Sequence, residues 1–183
     1  MMKIDDLLGL PPALRQHAAL PEMDPLTEDD ALQEAQVLDV RFDALAGIVG
    51  ILFELRQALQ LHEASTGILV AHGVSSLAWT GPSRDTALKA WSVGSSRPRA
   101  EDRLFELSLV MWPHPGAQLT LAAESAAFFV GDVPGLSGAP PDYTGLDRDG
   151  VASEIADWGS PFEPVSAVFL DPAPVAPGGS GIV

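Results

Sequence analysis

Two neighbouring stretches of the sequence alternate between apolar residues and charged or small residues, and this alternation constrains the fold more than any other feature. Leu38, Val40 and Phe42 are separated by Asp39, Arg41 and Asp43. A period of two is that of a β-strand with one buried face. Residues 49–55 alternate in the same way after a short turn at residues 44–47. The two stretches therefore predict a β-hairpin.

Further strand signals follow along the chain, separated by turn residues. We predict a strand at residues 67–74, extended by residues 77–80 after a kink at Gly73, and a short strand at 88–93 followed by a loop at 95–102. The remaining strands are predicted at residues 105–112, 119–123, 126–130 and 162–170. About seven closely spaced strands indicate a mainly β fold (α+β by count), either an antiparallel sheet or a two-layer sandwich.

Helical signals are confined to the two ends of the sequence. Short helices are predicted on either side of Pro11 and Pro12, and one short C-terminal helix at residues 151–158. We therefore divide the chain into a helical, acidic N-terminal segment (residues 1–34) that packs on the domain, an antiparallel β domain (35–170), and a flexible Pro/Gly tail (171–183).

The composition excludes several classes of protein. The chain has no cysteine, which excludes disulfides, thiolate zinc sites and cysteine nucleophiles. No apolar run is long enough to span a bilayer, and the N-terminus lacks the basic and apolar regions of a secretory signal. We therefore expect a cytoplasmic protein.

The charge is large and unevenly distributed. The formal net charge is -15, and both ends of the sequence are acidic while the middle is nearly neutral. Such a field disfavours binding to nucleic acid or to an anionic membrane and favours another protein with a basic surface. The alternative is that the acidity only keeps the protein soluble.

Catalytic and metal-binding motifs are missing from the sequence. The histidines have no metal-ligand spacing, and the acidic turn at residues 147–150 with Glu154 resembles a calcium loop only faintly. No nucleophile elbow, phosphate loop or dinucleotide fingerprint is present. We therefore predict no catalytic residue, no metal and no cofactor. A cavity between sheets around His72 or Trp91 is the candidate site for a small ligand.

One tryptophan is a candidate for an interface. Alternation places Trp112 on the face opposite Phe105 and Met111, so its side chain is expected to point away from the core. Tryptophan is enriched at binding hot spots. Together with the C-terminal acidic residues, it forms the predicted partner-binding set: Trp112, Asp142, Asp147, Asp149 and Glu154.

The β region also resembles a known group of proteins. The resemblance rests on residues 35–43 (AQVLDVRFD), 49–56 (VGILFELR), 68–79 and 119–126, and covers roughly residues 35–133. These stretches are similar to the small β-rich immunity proteins of bacterial polymorphic-toxin systems and to related uncharacterised actinobacterial proteins. The resemblance implies a cytoplasmic inhibitor that binds a toxin and needs no cofactor.

Three functional hypotheses follow from the sequence. The first is a non-enzymatic, acidic protein-binding protein, with toxin neutralisation as its specific form. The alternative is a structural or adaptor component of a larger protein assembly, which would use exposed strand edges. The third is a small-ligand-binding β domain.

Overall fold

The computed structural model describes residues 1–82, 90–101, 104–114, 116–136 and 138–171. The predicted tail lies outside these residues, apart from Asp171. Within them the protein is mainly β, as the sequence predicts, with short helices at the two ends. None of the described helices has the length and apolar character needed to cross a membrane.

The described strands form one fully antiparallel sheet. Its nine strands lie in the order β4-β7-β6-β5-β1-β2-β3-β8-β9. They are β1 (Gln36–Asp43), β2 (Ile48–Glu54), β3 (Thr66–His72), β4 (Ser76–Thr80), β5 (Trp91–Glu101), β6 (Leu104–Trp112), β7 (Gln118–Ala123), β8 (Ser125–Asp132) and β9 (Glu163–Leu170). The helices are a 3-10 helix (Ile4–Gly9), α1 (Pro12–His17) and α2 (Arg148–Ala152).

Both hairpins predicted from alternation are present. In the first, Val40 lies opposite Ile51 and Phe42 opposite Val49, so these four residues share one face. Leu38 does not join this row as predicted, because a register shift between Val37 and Asp39 places it against the opposite cluster. In the second, Leu107 lies opposite Leu121 and Leu109 opposite Leu119. In β6 and β7 alternation was a sufficient signal because each strand buries one face and exposes most of the other, whereas β2 is buried on both faces.

Residues 77–80 do not extend the third strand, as the sequence had suggested. They form β4, which pairs with β7 at the far end of the sheet. Gly73 has a φ of 65°, and a Cβ at this position would lie 2.7 Å from the side chain of Glu124. Gly73 has a left-handed backbone conformation and turns the chain away from the direction of β3. The glycine that was predicted to kink the strand therefore ends it.

The loop predicted at residues 95–102 was also wrong, because β5 runs on to Glu101. The buried positions of this part of β5 are Ser96 and Pro98, which lack the apolar character of a buried strand row. Ser96 is stabilised by polar contacts: its Oγ accepts a hydrogen bond from the Leu32 N–H at 3.2 Å.

The C-terminal helix also differs from the prediction. It was expected at residues 151–158, but α2 is shorter and begins earlier, at Arg148–Ala152.

The sheet curls so that one of its faces forms an interior. β6 and β8 are separated by four strands in the sheet, yet they contact each other. The main apolar cluster combines side chains from both halves: Val49, Ile51, Phe53, Leu69 and Phe128 from one half, and Phe105, Leu107, Leu109, Leu119 and Leu121 from the other. We call this inner surface the concave face and the opposite surface the convex face.

The convex face of β2, β3 and β8 is covered by the two ends of the chain. Ile4 and Leu7 of the 3-10 helix pack there with Trp158 and Phe162, against Leu52, Ile68, Val70 and Phe129 of the strands. Gly50 makes this packing possible, because a Cβ at this position would lie 2.6 Å from the Trp158 ring and 2.8 Å from Leu8. The N-terminal segment also covers the outer edge of β9, where the Ala167 N–H donates to the Ala19 carbonyl at 2.8 Å.

The close approach of Trp158 to the sheet gives a stability prediction. We expect Gly50→Ala to lower the free energy of unfolding by about 1–3 kcal/mol, the usual cost of forcing an extra methyl group into a packed core. Urea denaturation followed by circular dichroism measures this change. The matched control is Gly9→Ala, because a Cβ on Gly9 meets no atom within 4 Å. Equal losses in the two variants would contradict the proposed packing.

Candidate functional site

The curled sheet is open on one side, where a cleft lies between β1 and β4. The cleft has a volume of about 420 Å³. We call it the β1–β4 cleft, and its lining residues are Val37, Leu38, Asp39, Val40, Leu77, Trp79, Trp91 and Leu119. Nearly all of these side chains are apolar, although the cleft opens to solvent. Exposed apolar surface of this kind is typical of binding sites.

The cleft exists because β1 and β5 separate soon after they meet. The two strands pair only at Gln36 with Ser92 and at Val37 with Trp91. A register shift in β1 between Val37 and Asp39 follows directly. Beyond it, β1 has no strand partner on this side among the described residues, and β4 is the terminal strand of the sheet. In the part of the chain that the structure describes, two unpaired strand edges therefore belong to the walls of one apolar cleft.

Aromatic rings dominate the mouth of the cleft. The rings of Trp79 and Trp91 meet edge to face, with centroids 5.2 Å apart, and Trp91 also lies 6.0 Å from the ring of His114. Trp79 is 44% exposed, and Phe42, which shares the concave face of β1, is 51% exposed. Large aromatic side chains on an open surface offer contact area at a low cost in conformational entropy.

A second, smaller cavity adjoins the cleft on the other side of Trp91. Its volume is about 240 Å³, and we call it the Trp91 pocket. Its lining residues are Gln36, Val37, Leu38, Ala90, Trp91, Tyr143, Arg148, Val151, Ala152 and Ile155. No carboxylate of the described residues forms an ion pair with Arg148. The pocket thus combines an apolar wall with a cation that is available for a ligand.

A buried ion pair holds the loop that carries one wall of this pocket. Glu54 accepts two hydrogen bonds from Arg56, from Nε at 2.8 Å and from Nη2 at 2.6 Å. Arg56 Nη2 also donates to the Glu154 carbonyl at 2.8 Å, which ties the C-terminal loop to the sheet. The hydrogen bonds to Glu54 and the negative charge of its carboxylate raise the pKa of Arg56 above its usual range, although burial alone would lower it. Arg56 is therefore a structural cation.

Tyr143 links the same loop to β1. Its hydroxyl donates to Gln36 Oε1 at 2.9 Å, and Gln36 in turn donates to Gln57 at 3.2 Å. Burial of the phenol, assisted by the nearby Glu54 carboxylate, raises the pKa of Tyr143 to about 12. Tyr143 therefore stays neutral and acts as a hydrogen-bond donor at the edge of the Trp91 pocket.

The structure places the five predicted partner-binding residues in two separate regions. Trp112 lies on the convex face of β6 and is 57% exposed, as alternation indicates. The four acidic residues lie in the loop around α2. No hydrogen bond or ring contact found in the described residues joins Trp112 to that loop.

Two of the four acidic residues have local structural roles. Asp142 accepts hydrogen bonds from the hydroxyl and the N–H of Thr144, at 2.7 and 2.9 Å, which lower the pKa of its carboxyl group. Asp147 caps α2 by accepting the Gly150 N–H at 2.8 Å. Asp149 and Glu154 are exposed, and their carboxylates are open to solvent.

The other candidates from the sequence also have structural explanations. His72 Nε2 lies 3.1 Å from the Leu8 carbonyl, so it helps to hold the N-terminal segment, and it lines neither cavity. Of the two residues around which a cavity was expected, Trp91 therefore lines both cavities described here and His72 lines neither. In the described part of the chain, no group of three or more histidine and acidic side chains is placed to hold a metal ion.

Sequence reasoning missed the β1–β4 cleft, although it noted the residues that form it. Leu77 and Trp79 are two residues apart, which is the spacing of one strand face. The sequence predicts Leu77 and Trp79 as an extension of the third strand, and in that position their side chains would lie in the core. Only the pairing of β4 with β7 brings them opposite β1.

Comparisons with known proteins add little to this geometry. No family model matches the chain, and no curated protein matches it. A crystal structure of an uncharacterised protein from Neisseria gonorrhoeae is similar over 52% of this chain and 90% of that one, with 10% identity and a TM-score of 0.37. A likeness at this level supports no conclusion about function.

The raised pKa of Tyr143 can be measured directly, because it is the only tyrosine in the sequence. We expect the phenolate absorbance near 295 nm to titrate with a midpoint of about 12 in the folded protein, and near the ordinary value of 10.0 in urea. Because the unfolded chain loses this proton first, the contribution of Tyr143 to stability is complete below pH 10 and is lost as the pH rises towards 12.

The matched variant is Tyr143→Phe. It should remove the absorbance change and reduce the alkaline loss of stability, measured as the urea midpoint at several pH values. A midpoint near 10 for the folded wild-type protein would show that the phenol is solvated and that the contact with Gln36 does not persist in solution.

Proposed function

We propose that this chain is a non-enzymatic, acidic binding protein of the cytoplasm whose partner is another protein with a basic surface. One observation carries this proposal. Five arginines of the described residues each lie in an ion pair within the chain: Arg15 with Asp171, Arg41 with Asp5, Arg56 with Glu54, and both Arg97 and Arg99 with Asp29. Most of the positive charge of the described residues is thus paired within the chain.

These ion pairs leave most of the negative charge uncompensated. In the described part of the chain they engage four acidic residues, whereas the whole sequence has 25, and two of the arginines share a single one, Asp29. The hydrogen bond from Arg99 and the charges of both arginines lower the pKa of Asp29, so it remains ionised. The long-range field of the protein is therefore negative, and such a field accelerates association with a basic partner.

The loop around α2 is a suitable place for the contact. Asp149 and Glu154 are exposed on it, and the Arg56 contact with the Glu154 carbonyl holds it against the sheet. A charged surface on a fixed loop loses little conformational entropy on binding. The resemblance to immunity proteins supports toxin neutralisation as the specific form of this function.

A capture experiment tests the protein-binding proposal. The full chain is immobilised and exposed to a lysate of its native host at low salt, then washed with about 0.5 M NaCl, where the Debye length falls to about 4 Å. We expect a basic protein to be retained and then released by salt. Recovery of no salt-sensitive partner would overturn the proposal.

The matched variant for this experiment is Asp149→Asn combined with Glu154→Gln. Neither carboxylate forms an ion pair within the described residues, so the fold should be unaffected. With the purified partner, we expect the association rate constant to fall several-fold and the dissociation rate constant to change less, because charges at the rim of an interface act mainly on association. An unchanged association rate would exclude this loop as the contact surface.

A second function, binding of a small anionic ligand, is supported by the Trp91 pocket. Arg148 is the cation at its lining, and Trp91, Val151 and Ile155 provide apolar surface. This arrangement suits an apolar molecule with a carboxylate at one end.

Hexanoate and hexanol distinguish this function from a purely apolar cavity. They have the same chain length, and only hexanoate carries a charge. We expect calorimetry to show that hexanoate binds more tightly than hexanol, by about 1 kcal/mol, the usual contribution of an exposed ion pair. Arg148→Gln should remove this difference in binding free energy. Equal binding of both compounds to the wild-type protein would contradict a role for Arg148.

A further inference from the structure

The open edge of β1 has the features of a strand-binding site. β1 is an eight-residue strand, and only Gln36 and Val37 pair with β5. The Val40 N–H donates to the Asp39 carboxylate at 2.9 Å, so it is not engaged by β2. An unpaired edge in an ordered sheet is a template for a further strand. The outer edge of β9, in contrast, is covered by Ala19.

The two faces of β1 determine which side chains such a strand would need. On the concave face, Val40 and Phe42 lie beside the β1–β4 cleft, opposite Leu77 and Trp79 of β4. A strand paired with β1 places every second side chain on this face. Those side chains would be removed from water among apolar neighbours, so they must themselves be apolar.

The convex face of β1 has the opposite character. It carries Asp39, Arg41 and Asp43, and the charge of Arg41 is already paired with Asp5. The remaining charge of the row is negative. Residues opposite each other on neighbouring strands interact directly, and opposite charges are favoured there. The intervening side chains of an added strand should therefore be lysine or arginine.

We infer that the β1–β4 cleft binds an extended segment of a partner protein in which apolar and basic residues alternate, and that this segment pairs with the free edge of β1 as an additional strand. The inference rests on the proposed function and specifies its site and the chemistry of its ligand. Backbone hydrogen bonds to β1 provide the pairing, and the side chains in the cleft provide specificity.

Asp39 has a particular role in this binding. In the free protein its Oδ1 accepts the Val40 N–H, and its Oδ2 accepts the Trp158 indole N–H at 2.7 Å. The carboxylate therefore protects the edge while no partner is present. An incoming carbonyl would take over the Val40 N–H, and the freed Oδ1 would accept a cationic side chain of the added strand, so that no polar group loses its partner.

A synthetic peptide provides the test. The probe is a peptide of about eight residues, the usual length of a strand, with alternating lysine and valine and blocked ends. We expect saturable binding to the full chain by calorimetry at low salt, and slower hydrogen exchange at the Val40 amide. Two peptides of the same length serve as controls: one has glutamate in place of lysine, and the other has two D-valines, which disrupt the extended strand. Neither control should bind.

Substitutions at Trp79, which lines the cleft, and at Phe42, which lies beside it on the concave face, locate the site. We expect Trp79→Ala and Phe42→Ala each to weaken binding of the lysine–valine peptide by about thirtyfold, the loss that marks a hot spot. Leu45→Ala is the matched control, because Leu45 is fully exposed in the turn after β1 and lies outside the cleft. Circular dichroism and urea denaturation establish that each variant folds, and two cleft variants keep the test valid if one does not.

Several outcomes would overturn the inference. The first is that no binding is seen up to about 1 mM peptide, which corresponds to a binding free energy of about −4 kcal/mol. The second is that the D-valine peptide binds equally well. The third is that binding is lost in Trp112→Ala but not in Trp79→Ala or Phe42→Ala. The last result would assign binding to the convex face of β6. A partner captured from lysate equally by the wild type and by Trp79→Ala would exclude the cleft but leave the proposed function intact, whereas capture of no partner would exclude that function itself.

Discussion

The short junction between β1 and β5 is the constraint on which the rest of the structure depends. Two residue pairs, Gln36 with Ser92 and Val37 with Trp91, connect the halves of the sheet. If β1 and β5 were paired along their whole length, the sheet would continue as a regular ladder of backbone hydrogen bonds. Because the strands separate after Val37, the half that contains β5, β6, β7 and β4 can fold over the other half and bury a common apolar face. The same separation leaves the edge of β1 unpaired, so the core and the β1–β4 cleft have one origin.

The buried pair of Glu54 and Arg56 determines where the C-terminal loop lies. Removing two such charges from water costs several kcal/mol each, and their mutual attraction offsets this cost only when every remaining polar atom is satisfied. That condition is met here: no side-chain nitrogen or oxygen buried in the described residues lacks a hydrogen-bond partner. Arg56 also reaches the Glu154 carbonyl, so the pair adds little net stability but fixes one position for the loop and hence for the Trp91 pocket.

The sequence predicted the elements of the fold better than their arrangement. Alternation identified both hairpins, most clearly in β6, where Phe105, Leu107 and Leu109 are buried on one face and the residues between them are more exposed. It failed for the second half of β5, where the buried positions are serine and proline.

The same limit applied to the candidate site. Alternation correctly placed Trp112 on an exposed face, but it could not place Leu77 and Trp79, because the strand order of a sheet is set by long-range pairing. A cavity near Trp91 was expected from the sequence, whereas the arginine of the Trp91 pocket, Arg148, comes from α2, far away in the sequence.

The acidity of the chain and its open strand edge are physically connected. A strand edge bordered by exposed aromatic residues favours pairing between copies of the same chain. A net charge of -15 opposes this, because every approach of a second copy brings together two negative fields. The same field attracts a basic segment. Negative charge therefore opposes self-association and favours the basic partner that we propose, although Phe42 and Trp79 are exposed beside the edge.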